Sequence, residues 1–406
     1  MIGNIPAGWR VEKMVNLSKI LDGDRGKNYP KREDFSDNDY CLFLTTKNVS
    51  KKGFKFDSTQ FISKDKDEIL RKGRLERNDL VITTRGTVGN IAFFNQDVPF
   101  DIIRINSGMA IIRITAEDLS HSFVNTYFKS NIFYRYVSEI ISGSAQPQIT
   151  ITKLKNLTIP IPPPPQQEKI VKVLDISSAL IEKQKELISN YDLFLKSKFI
   201  EMFGDPIKNP MKWEVVNLGN CCHKVTDGTH DTPERLPSGI KFITGKHIRP
   251  YKIDYINSDY VNEIIHKEIY KRCNPEYGDV LYTNIGVNLG TAAMNMVNYE
   301  FSMKNVALLK NDISRCNSRF LEAYLNSEKF IFFIKTISSI GGAQQFLSLK
   351  EIKRLKLFLP NIVLQKQFAN IVKRIDEIRI KEEQKLEHLE TLHKSLMDKA
   401  FKGEVK

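Results

Sequence analysis

The sequence predicts an α+β protein in which two similar globular domains are separated by two long antiparallel α-helices that form a coiled-coil spacer. Two observations predict this pseudo-twofold internal repeat. A heptad-patterned segment occurs in mid-chain and again 198 residues later. Short β-rich runs and an aromatic-rich helix precede each copy in the same order. The predicted globular domains are residues 1–160 and 205–360, and the predicted helical segments are 161–204 and 361–406.

The composition is that of a globular protein with an anionic partner. Hydrophobic residues make up 41% of the chain and charged residues 27%, both ordinary values for folded domains. Sixty-one basic residues against 48 acidic ones give a formal charge of +13, which favours nucleic acid first and a membrane surface second. No run of 18 apolar residues predicts a transmembrane helix, and no secretion signal is expected. Five cysteines without a CxxC pair favour reduced thiols and a cytoplasmic location.

Each globular half begins with a Pro-x-x-Trp motif, and the later motifs of the two halves follow in the same order. Trp9 and Trp213 are predicted to be core anchors, because each precedes a mostly apolar strand. Further matched segments are residues 22–23 and 227–228, 43–49 and 242–248, 78–86 and 278–286, and the aromatic helices 123–137 and 320–334. Each aromatic helix leads to a loop that contains Gly, Ala and Gln. The offset drifts from 204 to 198 in the globular halves and then stays at 198, so length changes concentrate outside the long helices.

The first long helix is predicted from a proline-rich start, a heptad seam and a Gly-Asp-Pro stop signal. Residues 162–165 are all proline and are expected to be extended, because proline fixes φ and lacks an amide donor. The second helix begins with the same Pro-x₄-Gln spacing, since Pro162 and Gln167 correspond to Pro360 and Gln365.

The two seams are predicted to pair with each other. The residues predicted to pair the helices are Ile170, Leu174, Ile181, Gln184, Ile188, Tyr191, Leu195, Phe368, Val372, Ile375, Glu382, Leu386, Leu389 and Leu396. Gln184 and Glu382 are expected to form a polar layer that helps to fix the register of the pair.

This ordered repetition resembles the specificity subunit of type I restriction–modification systems. The resemblance rests on the Pro-x-x-Trp motifs, residues 22–31 and 227–233, the Gly–Ala–Gln loops and the Pro-x₄-Gln spacing, and it covers essentially the whole chain. It implies a non-catalytic subunit whose two target-recognition domains each read half of a split double-stranded DNA sequence. It also implies a helical spacer that binds two modification subunits, with restriction subunits joining through the complex. S-adenosylmethionine, ATP and Mg²⁺ would belong to those partners, so no cofactor is expected on this chain.

Candidate DNA-binding residues lie in polar loops next to the predicted strands. Arg, Lys, Asn, Gln, Thr and His are the side chains that can contact base edges or phosphates. In the first half the candidates are Arg25, Lys27, Asn28, Lys47, Asn48, Thr84, Arg85, Thr87, Gln146 and Gln148. In the second half they are Thr229, His230, Lys246, His247, Arg249, Asn284, Asn288, Gln344 and Gln345.

Two other functions are alternatives to a DNA-recognition subunit. The first is a free-standing nuclease or methyltransferase, and the second is a tandem-helix scaffold that binds protein. The chain has no P-loop motif, and residues 274–277 read Asn-Pro-Glu-Tyr, an imperfect match to a methyltransferase motif that is interpreted as a turn before a strand. His223 and His230 lie near Cys221 and Cys222, but their spacing matches no structural zinc site, so no metal is predicted.

Overall fold

The computed structural model describes residues 6–141, 147–338 and 345–404. The chain divides into two compact units. The first unit contains the described residues up to Gln184 together with those from Lys385 onward, and the second unit runs from Lys185 to Gln384. Each unit therefore combines one globular part with half of each long helix. This division by contacts differs from the predicted division by element type, which stays a prediction.

The described residues of the first unit form three sheets and a hairpin. Its strands are β1 (Arg10–Lys13), β2 (Ser18–Asp22), β3 (Cys41–Leu44), β4 (Val49–Ser50), β5 (Gly53–Phe54), β6 (Phe61–Ile62), β7 (Leu80–Thr83), β8 (Ile91–Phe93), β9 (Ile103–Ile105), β10 (Met109–Ile114) and β11 (Thr158–Ile161). Its helices are α1 (Met14–Leu17), α2 (Lys64–Ile69), α3 (His121–Phe128), α4 (Asn131–Ile141), α5 (Ile151–Asn156) and the first half of α6 (Pro164–Phe203). The sheets have the orders β2-β10-β7-β8, β6-β3-β9 and β1-β11, and β4 pairs with β5.

The second unit repeats this topology. Its strands are β12 (Glu214–Asn217), β13 (Cys222–Asp227), β14 (Ile240–Thr244), β15 (Ile248–Arg249), β16 (Lys252–Ile253), β17 (Asp259–Val261), β18 (Val280–Tyr282), β19 (Ala292–Met294), β20 (Ser302–Lys304), β21 (Ala307–Asn311) and β22 (Lys356–Leu359). Its helices are α7 (Glu263–Arg272), α8 (Ser318–Leu325), α9 (Glu328–Ile337), α10 (Leu349–Arg354) and the first half of α11 (Ile362–Ala400). The sheets β13-β21-β18-β19, β17-β14-β20 and β12-β22 correspond strand by strand to those of the first unit.

The central strand of each main sheet explains why these segments are strands. In β10, which lies between β2 and β7, every residue except Arg113 is buried, as expected for a strand covered on both faces. The Arg113 guanidinium is neutralised by Asp79, with Nη2 and Oδ2 2.8 Å apart. The equivalent strand β21 carries Lys310, whose Nζ lies 2.8 Å from Oδ2 of Asp279. The predicted α+β repeat is thus confirmed down to this ion pair.

A buried glutamine joins α6 to the globular part of the first unit. Gln167 is fully buried in the first turn of the helix. Its Oε1 accepts a hydrogen bond from the Ser120 amide at 2.8 Å, and its Nε2 donates to the carbonyls of Asp118 at 2.8 Å and Pro162 at 2.9 Å. One side chain therefore ties the helix, the strand leading into it and the loop before α3.

Gln365 forms the same junction at the start of α11. Its Oε1 accepts from the Asn317 amide at 2.8 Å, and its Nε2 donates to the carbonyls of Arg315 at 3.0 Å and Pro360 at 2.7 Å. The Pro-x₄-Gln spacing thus has a physical origin, because the proline carbonyl and the glutamine amide are hydrogen-bond partners in both copies.

The proline run preceding Gln167 is only partly extended. Pro164 and Pro165 lie in the first turn of α6, so the prediction that residues 162–165 are all extended is wrong for the second pair. A helix tolerates proline in its first turn, because the amides there have no intrahelical acceptor and the φ of proline already suits the helix.

The two long helices run antiparallel within the first unit. Ile170 and Leu174 of α6 share a core cluster with Phe401, which directly follows α11. Farther along α6, Ser177 Oγ lies 2.7 Å from Nδ1 of His393. The residue number on α11 falls as that on α6 rises, which is the signature of an antiparallel pair.

The second unit shows the same direction independently. Arg379 Nη1 lies 3.2 Å from Asp192 Oδ1, and the ring of Phe368 lies 5.7 Å from that of Phe199 and 5.4 Å from that of Phe203. Aromatic rings packed edge to face at such separations contribute about 0.5–1.5 kcal/mol beyond their buried area. Here too α6 and α11 are antiparallel.

The predicted seam residues all have restricted exposure. Those that are buried are Ile170, Leu174, Ile181, Gln184, Leu195, Phe368 and Val372. Those that are half-buried are Ile188, Tyr191, Ile375, Glu382, Leu386, Leu389 and Leu396. The predicted polar layer of Gln184 and Glu382 joins residues of different units and stays a prediction.

Replacing Gln365 with alanine is expected to lower the free energy of unfolding by about 2 kcal/mol, because one buried amide and two carbonyls lose their partner. Urea unfolding followed by circular dichroism measures the change. Gln367→Ala, at an exposed position of the same helix, is the matched control and should alter stability by less than about 0.5 kcal/mol. Equal destabilisation by both substitutions would contradict the role assigned to Gln365.

Candidate nucleic-acid interface

Four turns of the first unit meet at one edge, called here the first turn edge: residues 23–31, 45–48, 84–90 and 106–108. Arg25 Nη2 donates to the Ser107 carbonyl at 3.2 Å. The amides of Thr84 and Arg85 donate to the Gly108 carbonyl at 2.8 and 3.2 Å. Segments far apart in sequence are thereby held together by one guanidinium and by backbone groups, while the side chains of Arg85 and Thr87 stay exposed.

The second unit forms an equivalent second turn edge from residues 228–235, 244–247, 284–290 and 303–306. The Thr229 amide donates to the Met303 carbonyl at 2.9 Å, and the Asn288 side chain donates to the Gly245 carbonyl at 3.0 Å. A shallow hollow of about 350 Å³ lies between these turns. Its lining includes Arg235, Lys246, Asp259, Ile285, Lys304 and Asn305.

The predicted DNA-binding residues of the first half divide by exposure. The exposed ones are Arg25, Lys27, Lys47, Arg85, Thr87 and Gln148, while Asn28 is half-buried and Asn48 and Thr84 are buried. Arg85 and Gln148, 63 residues apart in sequence, are neighbours through an antiparallel backbone bridge. Gln146 and the rest of the first Gly–Ala–Gln loop lie outside the described residues.

The second half divides in the same way. His230, Lys246, Arg249 and Gln345 are exposed, Thr229 and Asn288 are half-buried, and His247 and Asn284 are buried. Gln344 lies outside the described residues.

Asn48 closes a short helical turn and has no free polar atom for DNA. Its Oδ1 accepts from the Thr45 amide at 2.9 Å, and its Nδ2 donates to the carbonyls of Lys55 at 3.1 Å and Ser58 at 2.7 Å. The turn that Asn48 stabilises carries the exposed Lys47. Asn48 therefore holds this turn in place, and its amide group is occupied within the protein.

His247 has the same structural role in the second unit. Its Nδ1 accepts from the Thr244 amide at 2.9 Å, and the side chain is 3% exposed. Burial lowers the pKa of His247, which keeps the ring neutral and able to accept this hydrogen bond. The neighbouring Lys246 is exposed, and its Nζ lies 3.0 Å from Oδ2 of Asp259.

Thr84 and Asn284 are also parts of the scaffold. The Ile149 amide donates to the Thr84 carbonyl at 3.0 Å, and the Asn284 side chain donates to the Leu347 carbonyl at 3.2 Å. These hydrogen bonds join the turn after β7, or after β18 in the second unit, to the segment that follows the aromatic helices.

A basic hollow in the first unit was not predicted from the sequence. It has a volume of about 620 Å³, and its lining includes Arg71, Lys72, Arg74, Arg113 and Lys155. These residues come from the chain after α2, from β10 and from α5, so no single motif contains them. The Arg-Lys-Gly-Arg run at 71–74 was the available signal. The Arg71 amide donates to Asp24 Oδ2 at 2.8 Å, so the hollow adjoins the first turn edge.

The two tryptophans lie at the start of each globular part and are half-buried against its core, as predicted for core anchors. The Trp9 indole donates to Gln166 Oε1 at 2.9 Å, and the Trp213 indole donates to the Phe203 carbonyl at 2.9 Å.

Within the described ranges no three His, Cys, Asp or Glu side chains are grouped as metal ligands would be. The cysteines are free thiols.

Comparison with known proteins assigns this architecture. The family described as the type I restriction modification DNA specificity domain matches residues 6–190 and again residues 210–391. The chain belongs to this family. The type I restriction enzyme MjaIX specificity subunit of Methanocaldococcus jannaschii is 24% identical to it over 436 aligned residues, covering 100% of this chain and 95% of the relative.

Two solved structures share the fold of this specificity subunit. One, from work on complex assembly and conformational transition of the type I restriction–modification system, has a TM-score of 0.62 at 18% identity and covers 99% of both chains. The other is the type I S subunit from M. genitalium, with a TM-score of 0.54 at 17% identity over 98% of this chain and 97% of that one.

The predicted resemblance is therefore confirmed. The chain is a DNA-recognition subunit of a type I restriction–modification system and not a catalytic one, and neither a free-standing enzyme nor a protein scaffold is favoured. Among the described helices none has the length and apolar character that a membrane span requires.

Gly228→Ala is expected to weaken DNA binding about tenfold, because an added Cβ would overlap the Met303 carbonyl and displace the 228–235 turn. Gly245→Ala, in the same edge, has room for a methyl group and should bind normally. Fluorescence anisotropy with a duplex that contains the recognised sequence compares the two variants. Thermal unfolding of each variant checks that both remain folded. Normal binding by Gly228→Ala would contradict the assignment of this edge.

Proposed function

We propose that this subunit recognises an asymmetric bipartite DNA sequence, with each turn edge reading one half-site and the long helices setting the gap. One observation carries the proposal: two units of one topology each present exposed cationic side chains, such as Arg85 and Lys246, on an edge of turns, in a chain that matches the DNA specificity family twice. Because the side chains of the two edges differ, the two half-sites should differ.

Base reading by the first turn edge is proposed for Arg25, Arg85 and Gln148. Arginine donates two hydrogen bonds to guanine O6 and N7, and glutamine can pair with adenine N6 and N7 in the major groove. The backbone bridge between Arg85 and Gln148 places two such side chains on adjacent chain segments. Gly86, which is exposed beside Arg85, adds no side chain to this surface, which favours close approach to DNA.

Phosphate contact is proposed for the basic hollow beside that edge. Arg71, Lys72, Arg74 and Lys155 are exposed there, and Asp22, which also lines the hollow, is paired with Arg25 at 3.0 Å. Arginine and lysine that line a groove neutralise phosphates without regard to sequence and fix the position of the duplex. The hollow would therefore hold the DNA backbone while the turns contact bases.

The spacing role is proposed for α6 and α11, which have 40 and 39 residues. Paired helices are stiff, and a fixed separation of two readers requires half-sites a fixed distance apart on DNA.

Association with two modification subunits, and through them with restriction subunits, is proposed for the outer face of α6. In the second unit Leu187, Leu193, Phe194 and Ile200 are all exposed on this helix. A helix that stays in water normally keeps its outer face polar, so apolar side chains there support contact with another protein.

A DNA target and free thiols are also consistent with a cytoplasmic site of action.

Methylome sequencing of cells that carry this chain with its neighbouring subunits tests the proposed function. The expected result is one methylated motif made of two unequal half-sites separated by a constant gap. A continuous motif, or no modified motif, would overturn the proposal.

Lengthening both helices by one heptad, after Gln184 in α6 and after Gln384 in α11, should widen the gap while the recognised bases stay the same. Seven residues add about 10 Å at ~1.5 Å per residue, or about three base pairs at ~3.4 Å each. Methylome sequencing reads the new gap. The same seven residues inserted between Asn38 and Asp39, in an exposed loop, should leave it unchanged. A change in the bases themselves would contradict the spacer role.

Replacing Lys72 or Lys155 with glutamine should weaken binding to all duplexes about equally, because phosphate contacts carry no sequence information. The plot of log affinity against log salt concentration has a negative slope, and the magnitude of that slope should decrease by about 0.9 for each phosphate contact removed. Lys366→Gln, at an exposed position on α11, is the control and should keep the slope. Unchanged slopes for Lys72→Gln and Lys155→Gln would exclude the hollow from the interface.

A further inference from the structure

The two turn edges share a backbone but differ in polarity at two matched positions and by one inserted residue. An isolated bridge joins Arg85 to Gln148 in the first unit, and the equivalent bridge in the second unit joins Ile285 to Phe346. In the turn after β7 the Thr83 hydroxyl donates to the Thr87 carbonyl, and in the turn after β18 the Thr283 hydroxyl donates to the Asn288 carbonyl. Asn288 therefore corresponds to Thr87, and Val287 is an additional residue of the second turn. Arg85 and Gln148 of the first edge are thus replaced by apolar residues in the second, which also carries Val287.

These apolar side chains are open to solvent. Val287 is 97% exposed and Phe346 is 57% exposed, although both belong to a folded and well-packed unit. Ile285 lines the hollow that also holds Lys246 and Lys304. An exposed apolar cluster with a rim of cations is typical of a binding surface for a polyanion that offers apolar groups at its centre.

The turn that carries Val287 is rigid. The Thr283 hydroxyl accepts a hydrogen bond from the Thr291 amide at 2.9 Å, and the Asn288 side chain donates to the Gly245 carbonyl at 3.0 Å. Leu289, two residues after Val287, is 2% exposed and anchors the turn in the core. Val287 is therefore held outward by its neighbours, so little ordering is required when a ligand binds.

We propose that Val287, Ile285 and Phe346 contact thymine 5-methyl groups in the major groove of the half-site read by the second unit. This inference rests on the proposed function and specifies its substrate. Aliphatic and aromatic side chains neither donate nor accept hydrogen bonds, and the thymine methyl is the apolar group that unmodified base pairs present in that groove. Lys246 and Lys304 at the rim would contact the flanking phosphates. The second half-site should accordingly contain thymine at the positions these residues face.

Substitution of deoxyuridine for thymine tests the proposal, because it removes the methyl group and keeps every hydrogen-bonding atom. The full chain with its modification subunits is titrated against duplexes in which each thymine of either half-site is replaced in turn. Burial of one methyl group predicts about fourfold weaker binding for each contacted thymine, in one half-site only. An unaffected affinity at every thymine of the specific sequence would overturn the inference.

Matched variants assign the effect to this cluster. Val287→Thr, which keeps the shape and replaces a methyl group by a hydroxyl, should bind thymine and uracil duplexes nearly equally at one position. Phe346→Gln should do the same at a neighbouring position, while Val215→Thr, at an exposed site on β12, should retain the thymine preference. If Val287→Thr and Phe346→Gln instead abolish association with the modification subunits and leave the preference intact, the surface is a protein interface and the inference is wrong.

The outcome is separable from that of the proposed function. A complex that selects a split sequence but ignores the thymine methyl groups would contradict only this inference. A complex that selects no sequence would contradict the proposed function itself.

Discussion

The hydrogen bonds of one buried glutamine per unit are the constraint on which the rest of the structure depends. Gln167 and Gln365 each join the first turn of a long helix to the strand before it and to the loop ahead of the aromatic helices. An unpaired amide in that position would cost about 1–3 kcal/mol, so the junction has one favourable geometry. The direction in which each globular part leaves its helix is thereby fixed by a side chain that touches no DNA. The turns can then change without altering where the edge is presented.

The turn edges follow the same separation of roles. Backbone amides and carbonyls, with the buried side chains of Asn48 and His247, hold the turns in place. The residues that point outward, such as Arg85 and Val287, take little part in that network. A recognition surface built in this way can exchange outward side chains at a small cost in stability, because surface substitutions away from caps and cores usually change stability by less than about 0.5 kcal/mol. This explains how two units of one topology can carry edges of different polarity.

Much of the architecture could be predicted from the sequence, because heptad spacing, paired tryptophans and the Pro-x₄-Gln motif are periodic or repeated signals. The functional residues were harder to predict. A polar residue in a loop has the same appearance whether it caps a turn, as Asn48 does, or faces solvent, as Arg85 does. The basic hollow was missed because Arg71 and Lys155 are 84 positions apart and meet only in the folded unit. Val287 and Phe346, for which base contact is proposed, give no sequence signal, because an apolar residue in a loop has the same appearance whether it is buried or exposed.

The discontinuity of the first unit has a consequence for biosynthesis. The second unit is one uninterrupted stretch of chain, Lys185 to Gln384, so all of its residues are made before the first unit is complete. The first unit contains Phe401, which is 4% exposed and packs against Phe123 and Tyr127, so its aromatic cluster is incomplete until residue 401 has been added. The unit whose synthesis starts first is thus the last to be completed. A chain that stops before Phe401 would contain every residue of the second unit but would leave the aromatic cluster of the first unit uncovered.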